Sequence, residues 1–401
     1  MRFYVRIISY RSKQMKRLLQ ISLDTLLTSM LPIIMWVLLG FIVTKDIANV
    51  FSLTYPLQFF YMIFASLFAV GPNITAKKIK DNRVIYSNML LGTILVGILT
   101  AMLSLNADSY IRLMNMSPDI YHNFCIYSMI WMYINFMMQL IVQKLYYEGK
   151  NRESNKINLI LNLSNFISII SLSILIEETW AIAITLLLDF IIVIVLLLKN
   201  FTYKKFSLKI KENIHYTSFS LLRNIGMFLT YSIGFKNSFS YGPQYTTAIN
   251  FESLTTDTQW DMLYSIDTAA KIDFAEGKFD YRESLKNGYK LIGILIGSTV
   301  VMNLTLYWYF KPDLRILSIL LAVQIVDMLV DPLKTLRWDY LQINDNEKKH
   351  NISYIIPRIV RIVCSFIPSA FCTYIGQFLS MVYLYAYAKI QCRNVKAFKL
   401  K

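Results

Sequence analysis

The residues of this chain best suited to chemistry are carboxylates set into apolar surroundings. Asp257 and Asp261 stand four apart within 242–283 and so share a helix face, with Trp260 beside them. The helix is expected to run on to a loop that holds Lys271, Glu276, Gly277 and Lys278. Asp327 and Asp331 repeat the same spacing inside another apolar run and are followed by Pro332, which weakens the helical ladder there. Paired carboxylates in a low dielectric resist ionising together, which suits a site that alternately binds and releases a proton or a small cation. Ionisable groups at membrane depth persist mainly where they line a cavity or a relay. A second reading stands beside this one: the first pair at a water-exposed helix end, and Asp331 in a surface pair with Lys334 or Arg337.

Arg223, Arg358 and Arg361 are the cationic counterpart within apolar stretches. They neutralise the acids structurally or line a path for an anionic headgroup; Arg358 is close enough to a helix end to snorkel to water. Asn155, Asn158, Asn162 and Asn165 recur at spacings of three and four, so one face of an otherwise apolar helix can hydrogen-bond. Such a face is expected to point into a bundle or cleft, or to glue helices together. Asp24 and Asp189 read as end caps or pair partners. Four cysteines without a CxxC pair and three histidines without HExxH spacing offer no metal constellation and no disulfide framework. Neither a nucleophile motif nor a Gly-rich phosphate loop is present, so no metal or cofactor is expected.

The elements that must position these groups follow from composition. The 401 residues are 55% hydrophobic and only 16% charged, with a mean hydropathy of +0.44, which reads as a polytopic all-α membrane protein rather than a soluble enzyme. The formal charge of +16 does not indicate nucleic acid, because the basic residues cluster between apolar runs of bilayer-crossing length. About twelve spans are expected, at 21–44, 53–75, 84–106, 120–143, 156–176, 180–199, 214–236, 245–268, 286–310, 314–336, 352–370 and 372–390. With the N-terminus inside, most of the 41 Lys and Arg fall in inside segments, while the outside loops hold Lys45, Arg112, Lys236, Lys311 and Arg315. This alternation predicts both termini in the cytoplasm and an even number of crossings. The first twenty residues read as a retained amphipathic surface helix.

The polar loop at 145–160 lies opposite the one at 341–356, and the loop at 76–83 stands in register with that at 270–282. Each of the latter two precedes a Gly-dotted helix, with Gly92 and Gly97 in one and Gly293 and Gly297 in the other. Two six-helix halves in the same orientation are expected: an N-terminal lobe 1–200, a cytoplasmic linker 201–213 and a C-terminal lobe 214–401.

The segment 146–170, with YYEGKNRESNKINLI leading into a helix that carries Asn, resembles the loop between helices four and five of the multidrug and toxic compound extrusion (MATE) family. EGKFDYRESLKNGYKLIGILIG at 276–297 is similar to that family's loop between helices eight and nine. The family lies within the superfamily that includes polysaccharide and lipid-linked oligosaccharide flippases. The resemblance implies two lobes, a central cleft, and export coupled to inward flow of H+ or Na+. Members with a first-lobe cation site carry an acid four residues after the helix-five Asn; here Asn165 matches the Asn, but Ile169 takes the acidic position, and Leu39 and Gly40 offer no carboxylate in helix one. The resemblance therefore implies no first-lobe coupling site, and other branches use second-lobe acids.

The expected function is secondary export of small amphipathic cations by H+ or Na+ antiport, with Asp257, Asp261, Asp327 and Asp331 as coupling or substrate carboxylates. Asn158, Asn162 and Asn165 would form a polar stripe along the cleft. The alternative is a flippase for an anionic lipid-linked glycan, with Arg223 and Arg361 receiving phosphates. A polytopic membrane enzyme ranks third, because the outside loops are too short for a catalytic loop. The expected partners are membrane lipids and a small-molecule substrate, with no nucleic acid, and the expected state is a monomer in the cell membrane.

Overall fold

The computed structural model describes residues 18, 19, 38, 41, 47–176, 178–202, 205–275, 277, 279–344, 353–395 and 398. The expected first span at 21–44 and the surface helix at 1–20 lie almost wholly outside the described residues, as do Lys45, Lys204, Glu276 and Lys278. Every regular element among the described residues is helical.

The order is α1 (Ile47–Ala65), a π-helical turn (Ser66–Val70), α2 (Gly71–Ile79), α3 (Arg83–Leu105), α4 (Ala107–Leu113), α5 (Pro118–Tyr147), α6 (Asn151–Leu175) and α7 (Glu178–Asn200). It continues with α8 (Ile210–Phe239), α9 (Pro243–Ala275), α10 (Tyr281–Phe310), α11 (Leu314–Asn344), α12 (Ile355–Ser365) and α13 (Cys372–Gln391). Seven stretches are long and apolar enough to cross a membrane: Leu53–Ile79, Arg83–Leu105, Pro118–Tyr147, Lys156–Leu175, Trp180–Asn200, Tyr281–Phe310 and Leu314–Leu341. Large apolar side chains stand exposed along them, Leu175 and Trp308 among them, as expected where the solvent is lipid.

Two elements differ from the expected spans. The stretch expected at 352–370 is regular helix only over Ile355–Ser365, because Pro368 cannot continue a helical ladder and the chain turns there before α13. At about 1.5 Å per residue, eleven residues reach roughly half-way across a hydrocarbon core. The loop after α3 contains the short helix α4, broken from α3 at Asn106.

Local sequence sets the helix ends. Asp280 caps α10, its Oδ1 accepting from the backbone N–H of Arg282 (3.0 Å) and Glu283 (3.2 Å). Asp313 does the same for α11, accepting from Arg315 (2.9 Å) and Ile316 (3.0 Å). The π turn comes just before Pro72, whose missing N–H leaves the carbonyl of Phe68 without its α-helical partner. The ladder loosens instead, and Gly71 N–H reaches back to the carbonyl of Ser66.

The chain forms two compact units, one spanning 34–241 and the other containing 242–401. In the first unit α8 packs along α1 through aromatic pairs, Tyr55–Tyr231 with centroids 4.8 Å apart and Phe59–Tyr231 stacked at 5.3 Å. The segment leading into α8 is tied down: Asn88 Nδ2 donates to the carbonyl of Leu208 (2.8 Å), Ser207 N–H to Ser87 Oγ (2.8 Å), and Asn213 Nδ2 to Asn88 Oδ1 (3.0 Å). In the second unit Leu263, Ile266 and Ala270 of α9 pack with Leu291, Ile292 and Leu295 of α10 and Met328 and Leu336 of α11, and Leu18 joins this core. Gly288 admits the close approach of α10 to α11, since a Cβ there would lie 3.3 Å from the Cβ of Pro332.

Candidate functional site

The densest buried polar network lies in the second unit, where α9, α11 and α13 meet. On α11 the spacing Asp327, Asp331, Lys334 keeps all three side chains on one stripe. Lys334 Nζ lies 2.9 Å from Asp331 Oδ1 and 3.5 Å from Asp327 Oδ1, so one ammonium bridges both carboxylates. Thr335 Oγ1 donates to Asp331 Oδ1 at 3.3 Å.

The second oxygen of Asp327 accepts from Gln377 Nε2 of α13 (3.0 Å). The same nitrogen donates to Gln324 Oε1 (2.8 Å), which also accepts the indole N–H of Trp260 from α9 (3.0 Å). Gln324 is in turn a hydrogen-bond partner of Glu252 on α9. The Glu252 carboxylate accepts from the Tyr374 hydroxyl of α13 and from Thr256 Oγ1 (2.8 Å).

Glu252 is only 1% exposed, Asp327 3% and Asp331 8%. Among the described residues one ammonium, Lys334, is paired with two of these three acids, so the three ionised together would leave two negative charges uncompensated there. The guanidinium of Arg337 does not supply the balance, because it is turned toward the rings of Tyr281 (5.1 Å) and Phe398 (5.7 Å). A buried ion without a partner costs several kcal/mol even after the protein relaxes, so such a cluster takes up protons or cations.

The structure joins the expected pair Asp327 and Asp331 through Lys334. The surface pairing foreseen for Asp331 is a buried one, and its partner is Lys334 rather than Arg337. Asp257 and Asp261 are half-buried on α9. From Glu252 they lie roughly 140° and 180° round the helix, and Asp257 is about 60° from Trp260, which belongs to the network. Glu252, Gln324 and Gln377 were not foreseen. Gln324 and Glu252 each stand within five residues of an acid that was singled out, and an acid in a Thr-rich helix was the available signal.

In the first unit Asn158 and Asn162 are half-buried, and Asn165 is buried and donates through Nδ2 to Asp189 Oδ2 of α7. Asp189 is thus a pair partner, and it brings a carboxylate to the Asn165 face that Ile169 does not provide. Arg223 is exposed on α8 and Arg361 half-buried on α12. Arg358 donates to the Tyr354 hydroxyl (3.1 Å) and covers its ring (5.0 Å). No group of His, Cys, Asp and Glu suited to a metal occurs among the described residues.

No protein-family model matches this chain, and no curated protein matches it. Solved structures do. The inward-facing conformation of a multidrug resistance MATE-family transporter of the MOP superfamily superposes with a TM-score of 0.65 at 13% identity, covering 96% of this chain and 100% of that one. The outward-facing conformation of such a transporter gives 0.60 at 14% identity, covering 96% and 97%. A MOP-superfamily transporter from Pyrococcus furiosus, distinguished by the reversed polarity of its binding pocket and a different suggested function, gives 0.57 at 13% identity with the same coverage. This chain is an all-α, multi-pass membrane protein with the fold of the MATE transporters of the MOP superfamily.

Proposed function

We propose that the protein is a secondary active exporter that moves small amphipathic cations out of the cell against an inward flow of H+ or Na+. The observation that carries this reading is the charge imbalance of the network among the described residues: Asp327 and Asp331 share the Lys334 ammonium, and a third buried carboxylate, Glu252, is joined to them through Gln324 and meets only neutral partners. Protonation or cation binding removes the imbalance, and its loss restores it. The network therefore has two charge states that differ in how tightly Lys334 is held. Asp327 is the coupling carboxylate, since it touches both Lys334 and the amide of Gln377; Asp331 holds the ammonium, and Glu252 sets the neighbouring charge. Asp257 and Asp261 are a further acidic pair on α9, suited to attracting a cationic substrate.

The test is substrate-driven proton or Na+ flux in liposomes carrying the purified protein. Flux that follows an added cationic dye in the wild type and is lost in Asp327→Asn supports the proposal, since Asn keeps the size of the side chain but cannot change charge. Wild-type flux in Asp327→Asn ends it.

A flippase for an anionic lipid-linked glycan is the second reading. Arg223, exposed on α8 within the expected span 214–236, favours it. In that case Arg223→Gln and Arg361→Gln would be the damaging changes and Asp327→Asn would be tolerated.

A further inference from the structure

A second cluster lies along α11 beyond the network. Asp339 is eight residues after Asp331 and therefore about 12 Å farther along the helix, toward the loop between α9 and α10. Its side chain is 1% exposed. Lys271 of α9 lies 3.8 Å from its Oδ1, and the same ammonium is 2.6 Å from Asp267 Oδ1 one turn earlier on α9. Oδ2 of Asp339 is fully buried and receives no hydrogen bond. The Asp267 carboxyl lies alongside Asp339, within hydrogen-bonding reach.

Two carboxyls can share a hydrogen bond only if one of them carries a proton. Counting Lys271, the ionised cluster holds one excess negative charge, and it holds one buried oxygen without a donor. A single proton corrects both. A metal cation would need several more oxygens, and none of the described His, Cys, Asp and Glu groups is suited to a metal.

Among the described residues, Asp331 on α11 and Tyr354 ahead of α12 also act on the cluster, Asp331 on Asp339 and Tyr354 on Lys271. Tyr354 also packs on Trp338, next to Asp339, with ring centroids 5.3 Å apart. Asp327, Asp331, Thr335 and Asp339 recur every four residues and so form a row that winds about 40° per step round α11. Asp267 is partly exposed, with 28% of its side chain accessible, so the cluster has one open end.

We infer that Asp267 and Asp339 form a second proton site, which holds one proton beside Lys271 and passes it along the α11 row to and from Asp331 and Asp327. This inference rests on the transport reading, and it assigns the route by which the coupling proton reaches water.

The experiment compares Asp339→Asn, Asp339→Glu and Asp267→Asn with the wild type in lipid vesicles. Infrared spectroscopy of the purified protein reads the carbonyl band of protonated carboxyls. Two transport assays run beside it: uptake driven by a pH gradient, and substrate counterflow, which needs no proton delivery. The two Asn variants are expected to lose one protonated-carboxyl band, to slow gradient-driven uptake about 100-fold, the lower end of the effect of removing a positioned proton-transfer group, and to keep counterflow within about twofold. Asp339→Glu is expected to restore the band, shifted, and most of the rate. If Asp339→Asn does not fold, Asp267→Asn, at the partly exposed end, carries the test.

An unchanged band in both Asn variants overturns the inference. So does equal loss of counterflow and gradient-driven uptake, which would mean a structural role. Displacement of the band by Na+ at fixed pH would replace the proton by a metal ion and overturn it too. If Asp327→Asn transports normally the functional reading fails, while the infrared band still decides whether the site exists.

Discussion

The two units treat a buried acid in opposite ways. In the first, Asp189 meets an amide, Asn165, across the seam of α6 and α7. In the second, Glu252, Asp327 and Asp331 are spread over two helices and tied to a third by Gln377 and Tyr374, with Lys334 in their midst. An amide can satisfy the hydrogen bonds of one carboxylate without changing charge. The second arrangement sets three acids near one cation, whereas the first sets one acid against a neutral amide. On the transport reading proposed above, ion exchange is assigned to the second unit, and the first is assigned a polar joint between two helices.

The sharpest way to break this contrast is to neutralise one acid in each unit. Asp327→Asn is expected to lower ion-coupled transport by at least about 100-fold, the range seen when a positioned proton-transfer group is removed. Asp189→Asn is expected to stay within about threefold, since an amide can still pair with Asn165. Comparable losses in liposome flux would show that both units couple ions.

Removing the cation tests the same idea through stability. Lys334→Met leaves Asp327 and Asp331 buried without a counter-charge and is expected to cost about 3–5 kcal/mol, read as a lower melting temperature in detergent. The double change Lys334→Met with Asp331→Leu should recover much of that loss. Failure to recover would mean that Lys334 matters through packing alone.

A smaller effect is expected where α10 approaches α11. Gly288→Val would press on Pro332, already 3.3 Å from the position of a Cβ, and is expected to cost about 1–3 kcal/mol by overpacking. Gly293→Ala on the same helix meets nothing within 4 Å and should be neutral by the same melting assay.

The smallest effect lies outside the spans, at Glu148 after α5. Burial pushes its carboxyl up, but hydrogen bonds and charge from Lys144 and Lys150 outweigh this and hold it below the usual carboxylate range. A depressed carboxylate stabilises the fold above its unfolded value and loses that contribution as pH falls through the folded one. Glu148→Gln should therefore lower stability at neutral pH, by up to about 1 kcal/mol, and the difference from wild type should vanish in acid.

The helices were legible because each apolar run is long and is flanked by basic or turn-forming residues. The run at 352–370 misled because hydropathy continues through Pro368 while the hydrogen-bond ladder does not. Asp327 and Asp331 were visible as acids in apolar sequence at a spacing of four. Glu252 was not, since the Thr and acid content around it made α9 look polar on every side. Asp339 and Asp267 are separated by 72 residues, and only the packing of α9 on α11 brings them together. The amides of Gln324 and Gln377 carry no pattern in a single sequence, because their role depends on the acids they reach.

Trp260 gives the network an optical consequence. Its indole N–H ends on Gln324 Oε1, the oxygen that also accepts from Gln377, whose amide holds Asp327. On the transport reading, a proton arriving on Asp327 alters what Gln377 can donate to, and Gln324 transmits that change to the indole through one shared oxygen. Indole emission shifts with the strength of that hydrogen bond. Trp260, one of the six tryptophans, is then the one whose emission follows the charge of the network.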